Sequence, residues 1–521
     1  MNLYTVFSRQ FTERPKATAL IDARNDKSWS YAELNNACAQ VASRLKAASL
    51  RQGDTVLLIV PMSVALYVSI LACFRLGLVA VIIDPGGGRA HFDRCCSLYP
   101  PKAFIGTAKA HLLRFLVPSL RAIPNKFSIG IPLPGATRLS LDTTPSEPVT
   151  VADVEDSAAA LVSFTSGSTG SPKAAVRSHG FLLAQHRAIS NNHCAAAGTK
   201  NLPLFPVFVL SNLASGVTSI LADVDLRRPE RIDVAALIQA IGRYQPHSLG
   251  APPAVLSSVI EYCNQHRLYL SQKLTVYSGG APVFPVLLND FKRIAPNAQL
   301  ISVYGSTEAE PIALSAYEDN GSGSNTSSDR SKGLLAGMPV PEISLRIIKD
   351  STKDVKSTMS TGAFEEICLR SDEIGEIVVS GEHVLQTYLN GNGDAENKIR
   401  VDGRVWHRTG DAGSLDSDGR LWLAGRCQAR LEDDRGISYP LGVEAAALEV
   451  GYVERAALVT LQGDRVLLVA CKRVYQNLVE QEIRMRLVGA GIDVLRFMSS
   501  LPVDHRHNGK IDYARLHQLL G

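Results

Sequence analysis

The sequence lacks the features that mark several common functional classes. Nine cysteines are spread over 521 residues, only Cys95 and Cys96 are adjacent, and no CxxC pair or Cys/His cluster occurs. That excludes the usual zinc-site spacings, and an odd, unpatterned number fits reduced thiols in a cytoplasmic setting. Charge of one sign is equally scarce: 54 Lys and Arg against 50 Asp and Glu leave a net +4. No basic run tracks along the chain as a phosphate-backbone reader would require, so nucleic acid is not an expected partner. The N-terminal MNLYTVFSRQFTERPKATAL has no long apolar core and no small-residue cleavage site, so no signal peptide is expected. Internal repeats are absent. The one long apolar run, VALYVSILACFRLGLVAVII (64–83), is interrupted by Arg75 and Gly77 and leads straight into IIDPGGG. A membrane span needs about 20 consecutive apolar residues. The run is read instead as a buried helix, a turn near Gly77 and a buried strand, and no transmembrane segment is expected.

What the chain does contain is ordinary globular material, 45% hydrophobic and 20% charged. Its length calls for at least two domains. Apolar, β-rich runs at 55–61, 159–165, 274–280 and 300–306 alternate with amphipathic stretches such as YAELNNACAQVASRLKAA (31–48). This alternation predicts an α/β architecture, a large N-terminal domain of layered sheets flanked by helices. The polar DNGSGSNTSSDRSKG (319–333) reads as a surface loop. Beyond Gly425–Arg426 the texture changes to a charged loop (430–438), a hairpin (456–474), a helix around 478–491 and a basic tail. About a hundred such residues suffice for a small α+β domain. The expected division is 1–425 and 426–521, the second part mobile.

The most informative stretch is SFTSGSTGSPK (163–173). A Ser/Gly tract is ordinarily a flexible linker. Here a buried strand pattern, AALVSF, precedes it and a helical pattern, HGFLLAQHRAIS, follows it. Strand, glycine loop and helix let backbone N–H groups converge on an anion, with Thr165, Ser166, Ser168 and Thr169 adding hydroxyls and Lys173 a point charge. The common P-loop needs Gly-Lys-Ser/Thr, whereas Lys173 follows Pro172 and precedes Ala174. The loop is phosphate-directed but of another class.

TSGSTGSPK resembles the phosphate loop of the adenylate-forming superfamily of acyl-CoA synthetases, luciferases and peptide-synthetase adenylation domains. Four further motifs follow in that superfamily's order: SGGAP (278–282), YGSTEAEP (304–311), WHRTGDAG (406–413) with LAGR (423–426), and HNGKID (507–512). The resemblance implies ATP and Mg²⁺ as cofactors and a small-molecule carboxylic acid as substrate. It implies phosphate contacts from Thr165, Ser166, Gly167, Ser168, Thr169, Gly170 and Lys173. Gly279, Gly280 and Ala281 would pack on adenine, with Tyr304, Gly305 and Ser306 beside them. Thr307 would contact the α-phosphate, and Glu308 would hold Mg²⁺. Asp411 would accept from both ribose hydroxyls, with Arg426 nearby. Lys510 would reach the acyl carboxylate and bridging oxygen once the small domain closes. Thr307, Glu308 and Lys510 are thus the expected catalytic residues; His179 and His407 are read as loop-positioning groups.

Departures from the superfamily pattern bear on the second reaction. Gln428 takes the hinge position, LEDDRGISYP replaces the glycine loop of thioester formers, and Glu310 stands where an apolar residue is expected. IDPGGGR, VRSHGFLLAQ, LPLFPVFVLSNLASG and PVDHRHNGKID resemble the β-lactone-forming branch of bacterial long-chain olefin biosynthesis. That branch adenylates a 2-alkyl-3-hydroxy acid and closes the ring with the acid's own hydroxyl. Transfer of the acyl group to CoA, a carrier-protein thiol or another nucleophile stays open, as does a nucleotide-binding protein without catalysis. Other enzymes of the same pathway are candidate partners.

Overall fold

The computed structural model describes residues 1–84, 87–144, 149–166, 172–193, 195–224, 232–317, 328–329, 331–350, 356–504 and 510–520, with backbone alone at 165, 166 and 328. The chain forms two compact units. One comprises Met1–Asp225, Asp233–Gly250 and Glu382–Ala395, the other Leu226–Ile232, Ala251–Gly381 and Glu396–Gly521.

The first unit is built on a seven-stranded sheet ordered Thr137–Leu139, Asn125–Ile129, Ala103–Thr107, Thr55–Ile59, Val79–Ile82, Ala159–Ser166 and Pro172–Ser178. Every pair is parallel except the last. Parallel strands covered on both faces read as continuous apolar runs rather than alternating ones, which is how Thr55–Ile59 and Val79–Ile82 appear in the sequence. The run at 64–83 divides as the sequence predicts. Helix Val64–Leu76 starts on the Ser63 hydroxyl, which accepts from the Leu66 N–H, and stops at Gly77, whose φ of 65° favours glycine. Its buried Arg75 donates from Nε to the Val149 carbonyl at 2.7 Å and from Nη1 to the Tyr4 hydroxyl at 3.1 Å. Among the described residues no helix is long and apolar enough to cross a membrane. A second layer pairs Ser248–Ala251, Lys200–Pro203, Thr218–Leu221, Thr18–Asp22 and Lys27–Ser30.

The second unit carries a mixed sheet ordered Ser344–Ile348, Gly375–Ser380, Arg404–Leu415, Leu421–Arg426, Gly333–Pro339, Ala309–Ala316, Gln299–Ser306 and Thr275–Gly279. Toward the C-terminus Arg455–Leu461, Asp464–Ala470 and Val494–Met498 make a separate three-stranded sheet. Its two faces bury Leu458, Leu467, Val469 and Ile483 on one side, and Val459, Leu468 and Leu516 on the other. The large α/β body with a smaller C-terminal α+β part is therefore as expected. Two local expectations fail. The charged stretch 430–438 is a hairpin, Leu431–Asp433 against Gly436–Ser438. Asp433 accepts two hydrogen bonds of 2.7 Å from Arg465 and is also held by Arg435, so its charges are structural rather than solvated. The helix expected around 478–491 forms over Gln476–Arg486 but ends earlier, ahead of Gly489 and Gly491 at φ 79° and 67°.

Candidate active site

Three of the motifs converge in the second unit because strand ends meet there. Tyr304, Gly305 and Ser306 finish the strand Gln299–Ser306, and Thr307 and Glu308 form the tight turn into Ala309–Ala316, with Ser306 registered opposite Ala309. The Glu308 N–H donates to the Ser306 hydroxyl at 3.3 Å. Gly279 pairs with Val303 on the neighbouring parallel strand, and a Cβ on Gly279 would lie 2.4 Å from the Val303 carbonyl oxygen. Glycine is required for that approach. Gly280 follows at φ 81°, again a glycine conformation, and Ala281 completes the segment.

Asp411 and Arg426 face one another on the paired strands Arg404–Leu415 and Leu421–Arg426. Arg426 donates from Nη1 to Asp411 Oδ1 at 2.6 Å, and the Tyr304 hydroxyl donates to Oδ2 at 2.9 Å. Burial pushes the Asp411 carboxyl up, but Arg426, Lys510 and the Tyr304 hydrogen bond outweigh it and hold the group below the usual carboxylate range. Burial first and Asp411 second keep the Tyr304 phenol protonated, hence a donor. Lys510 is tied by backbone on both sides: its N–H donates to Asp504 Oδ1 at 3.0 Å, and its carbonyl accepts from the Asp504 N–H at 2.9 Å. Tyr304, Asp411, Arg426 and Lys510 thus belong to one electrostatic cluster.

A carboxylate offers about four acceptor positions. Arg426 and Tyr304 take one on each oxygen of Asp411, so the remaining pair suits two adjacent hydroxyls. No group of three His, Cys, Asp or Glu side chains arranged for a metal occurs among the described residues. Glu308 offers a single carboxylate, a donor of the kind that Mg²⁺ would accept, its shell completed by phosphate oxygens and water.

Lys173 lies in the first unit, on the strand Pro172–Ser178, registered opposite Thr165. Its ammonium is 5.8 Å from the Tyr388 ring centre, and its stem packs so closely on Gly393 that a Cβ there would come within 2.7 Å of Cδ. Gly167, Ser168, Thr169 and Gly170 lie outside the described residues, as do the side chains of Thr165 and Ser166.

Sequence reasoning overlooked the residues that aim Asp411. Arg408 donates from Nε and Nη2 to Glu376 Oε2 at 2.8 and 2.5 Å, both side chains being buried. Oε1 of the same Glu376 accepts from the Gly410 N–H at 3.3 Å, and the Thr409 hydroxyl accepts from the Asp411 N–H at 3.1 Å. The Arg in WHRTGDAG was the available signal, since a buried strand does not keep an arginine without a partner. The two histidines are neutral packing groups. Burial pushes His179 down to about 4; its Nδ1 accepts from the Leu3 N–H at 3.1 Å. Burial, then Lys398, pushes His407 down to about 3, and its Nδ1 lies 3.1 Å from the Asn397 carbonyl. Glu310 covers Gly305, whose Cβ would sit 3.2 Å from Glu310 Cγ. A cavity of about 830 Å³ lined by Lys332, Asp350, Asp372, Ser438 and Tyr439 contains none of the expected site residues.

The family described as AMP-binding enzyme matches residues 7–389. The olefin beta-lactone synthetase of Stenotrophomonas maltophilia is 31% identical over 95% of this chain and 91% of its own length. Its counterpart in Xanthomonas campestris pv. campestris is 32% identical over the same shares. Among solved structures, ATP-bound MatB from Rhodopseudomonas palustris superposes with a TM-score of 0.78 at 20% identity, covering 100% of this chain and 99% of that one. The family pattern spans well over half of the sequence, and the chain belongs to the AMP-binding enzymes, as an AMP-forming ligase of the adenylate-forming kind.

Proposed function

We propose that the enzyme uses ATP to convert a 3-hydroxy fatty acid to its acyl-adenylate, then closes the adenylate to a β-lactone with release of AMP. The observation that carries this reading is the 31–32% identity, over 95% of the chain, to two olefin beta-lactone synthetases. The hairpin at 431–438 supports it. The segment that replaces the glycine loop of thioester formers is stapled by Asp433 to Arg465 and Arg435, an arrangement suited to structure rather than to guiding a thiol.

In the first step a carboxylate oxygen of the acid attacks the α-phosphorus and the bond to pyrophosphate breaks. Asp411 takes the ribose hydroxyls and Gly279–Ala281 the adenine face. The loop 165–170 and Lys173 take phosphate oxygens, and Thr307 takes the α-phosphate. Lys510, once brought in, would face the negative charge that gathers between acid and α-phosphate, the position at which fixed charge contributes most. Glu308 would hold Mg²⁺, which when bound would supply further neutralisation of phosphate charge. In the second step the substrate's 3-hydroxyl oxygen bonds to the acyl carbon, the acyl–O–P linkage opens, AMP leaves and the hydroxyl proton is lost. Holding both groups in one molecule makes ring closure unimolecular. The reading takes 1–425 as the large domain and 426–521 as a lid that brings Lys510 in and sets the pace of turnover.

Incubating the purified enzyme with ATP, Mg²⁺ and a racemic 3-hydroxy fatty acid, with and without CoA, tests the reading. It predicts β-lactone and AMP without any thiol. A strict requirement for CoA or a carrier-protein thiol contradicts it.

A further inference from the structure

Between Arg94 and Leu141 the chain carries seven Lys and Arg residues and no Asp or Glu. The whole protein is only +4, so everything outside this segment is net negative. The cations are spaced singly, which is why no basic run is visible in the sequence; the excess arises because acidic residues are missing between them.

The same segment holds a group of protruding apolar side chains. Leu112, Phe115, Leu116 and Ile131 are 63, 74, 64 and 56% exposed. Arg114 ties together the two loops that carry them: its guanidinium donates to the Gly135 carbonyl at 3.5 Å and the Pro134 carbonyl at 3.2 Å. Lys109 stands exposed in the same helix as Leu112. Scattered exposed leucines are normal on a soluble surface, but a contiguous cluster marks a contact site.

Topology places this cluster. Strands Ala103–Thr107, Asn125–Ile129 and Ala159–Ser166 run in the same direction through parallel pairings. Leu112–Leu116 follow the end of the first strand and Ile131 the end of the second. They therefore share a rim with the end of Ala159–Ser166, where the phosphate-loop motif begins. Three strand spacings separate Ala103–Thr107 from Ala159–Ser166, about 14 Å.

We propose that this surface docks the enzyme on an anionic lipid bilayer, with Phe115 and Leu116 entering the headgroup–acyl boundary and the surrounding cations facing the lipid phosphates. Two observations select lipid. The apolar residues project rather than line a groove, which suits insertion into a fluid interface better than a rigid partner. The 48 residues supply no carboxylate of their own to repel an anionic surface, and the carboxylate folded against them, Asp93, is held by the Ser119 hydroxyl at 2.5 Å. The docking rests on the fatty-acid reading only for its purpose: a long-chain acid partitions into the bilayer and would be met on the rim that carries the nucleotide loop.

Co-sedimentation of the full chain with vesicles tests docking without any substrate. Phosphatidylcholine vesicles are compared with vesicles containing about a third phosphatidylglycerol, at low and high salt. The expected result is binding to the anionic vesicles at least tenfold stronger than to the neutral ones. Phe115→Ser with Leu116→Ser should weaken it about tenfold. Each reversal among Lys109→Glu and Arg138→Glu should weaken it about fivefold or more, in step with roughly one surface cation's attraction. Acid-dependent ATP–pyrophosphate exchange with a short, water-soluble 3-hydroxy acid stays unchanged in these variants, which also shows that they fold. No anionic preference, no effect of the variants, or equal affinity for duplex DNA overturns the proposal. Loss of exchange in the unaltered enzyme would instead overturn the catalytic reading and leave docking measurable.

Discussion

Arg426 and Asp411 are bonded side chain to side chain at 2.6 Å, and Tyr304 approaches the other carboxylate oxygen at 2.9 Å from a different motif. One carboxylate is thus fixed by two strands and kept charged by two cations. Asp411→Asn removes the charge and makes one of the two positions a donor facing Arg426 or Tyr304. A charge-assisted hydrogen bond contributes about 1.5–3 kcal/mol, so AMP affinity measured by calorimetry should fall roughly 10- to 100-fold. Because the Asp411 carboxyl is held below its usual range, the loss in the unaltered enzyme should begin only on acidification through that depressed value, and AMP binding should be flat across neutral pH.

Glu376 and Arg408 form a buried pair behind that site. Removing one partner strands the other in a low-dielectric interior at a cost of about 3–5 kcal/mol. Glu376→Ala should lower the denaturant midpoint accordingly and raise the KM for ATP, since Gly410 loses its anchor. Glu376→Ala combined with Arg408→Met should recover much of the stability and little of the ATP affinity. Full recovery of both would contradict a positioning role.

Glu444 makes the C-terminal part pH-sensitive. Burial pushes its carboxyl up to about 7, against hydrogen bonds from the Tyr513 hydroxyl and the Leu458 N–H. A carboxyl raised above its unfolded value binds more protons in the folded state, so stability falls as pH rises from about 4.5 through 7. The full effect is of order 3 kcal/mol. The melting temperature of the whole chain should decline over that window, and Glu444→Gln should flatten the decline and stabilise the protein at pH 8. Tyr513 lies three residues beyond Lys510, so the same titration acts on the segment that carries the lysine.

Two glycines separate strain from collision. A Cβ on Gly333, at φ 102°, would meet the Leu423 carbonyl oxygen at 1.9 Å, whereas one on Gly53, at φ 84°, meets nothing within 4 Å. Gly53→Ala should cost about 1 kcal/mol of backbone strain. Gly333→Ala must in addition push apart the strands Gly333–Pro339 and Leu421–Arg426, and should leave little soluble protein in an expression comparison.

The sequence disclosed the elements whose patterns are local. The apolar strands at 55–59 and 299–306 and the helix closed by Gly77 are each written in a dozen adjacent residues. The motifs were legible for the same reason, because Tyr304, Asp411 and Lys510 stand in short fixed strings. Pairings across long separations were not. Asp433 reads as a loop charge until Arg465 is brought onto it, and Glu376 reads as a surface residue until Arg408, 32 positions on, is seen donating to it. The missing carboxylates between 94 and 141 gained meaning only when the topology put Phe115 and Ile131 on one rim.

The proposed chemistry turns on Lys510, and acid-dependent exchange of labelled pyrophosphate into ATP measures the adenylation step alone. The account predicts robust exchange with a 3-hydroxy fatty acid in the unaltered enzyme and a loss of at least a hundredfold in Lys510→Ala, with AMP affinity nearly preserved. Undiminished exchange in Lys510→Ala would contradict it.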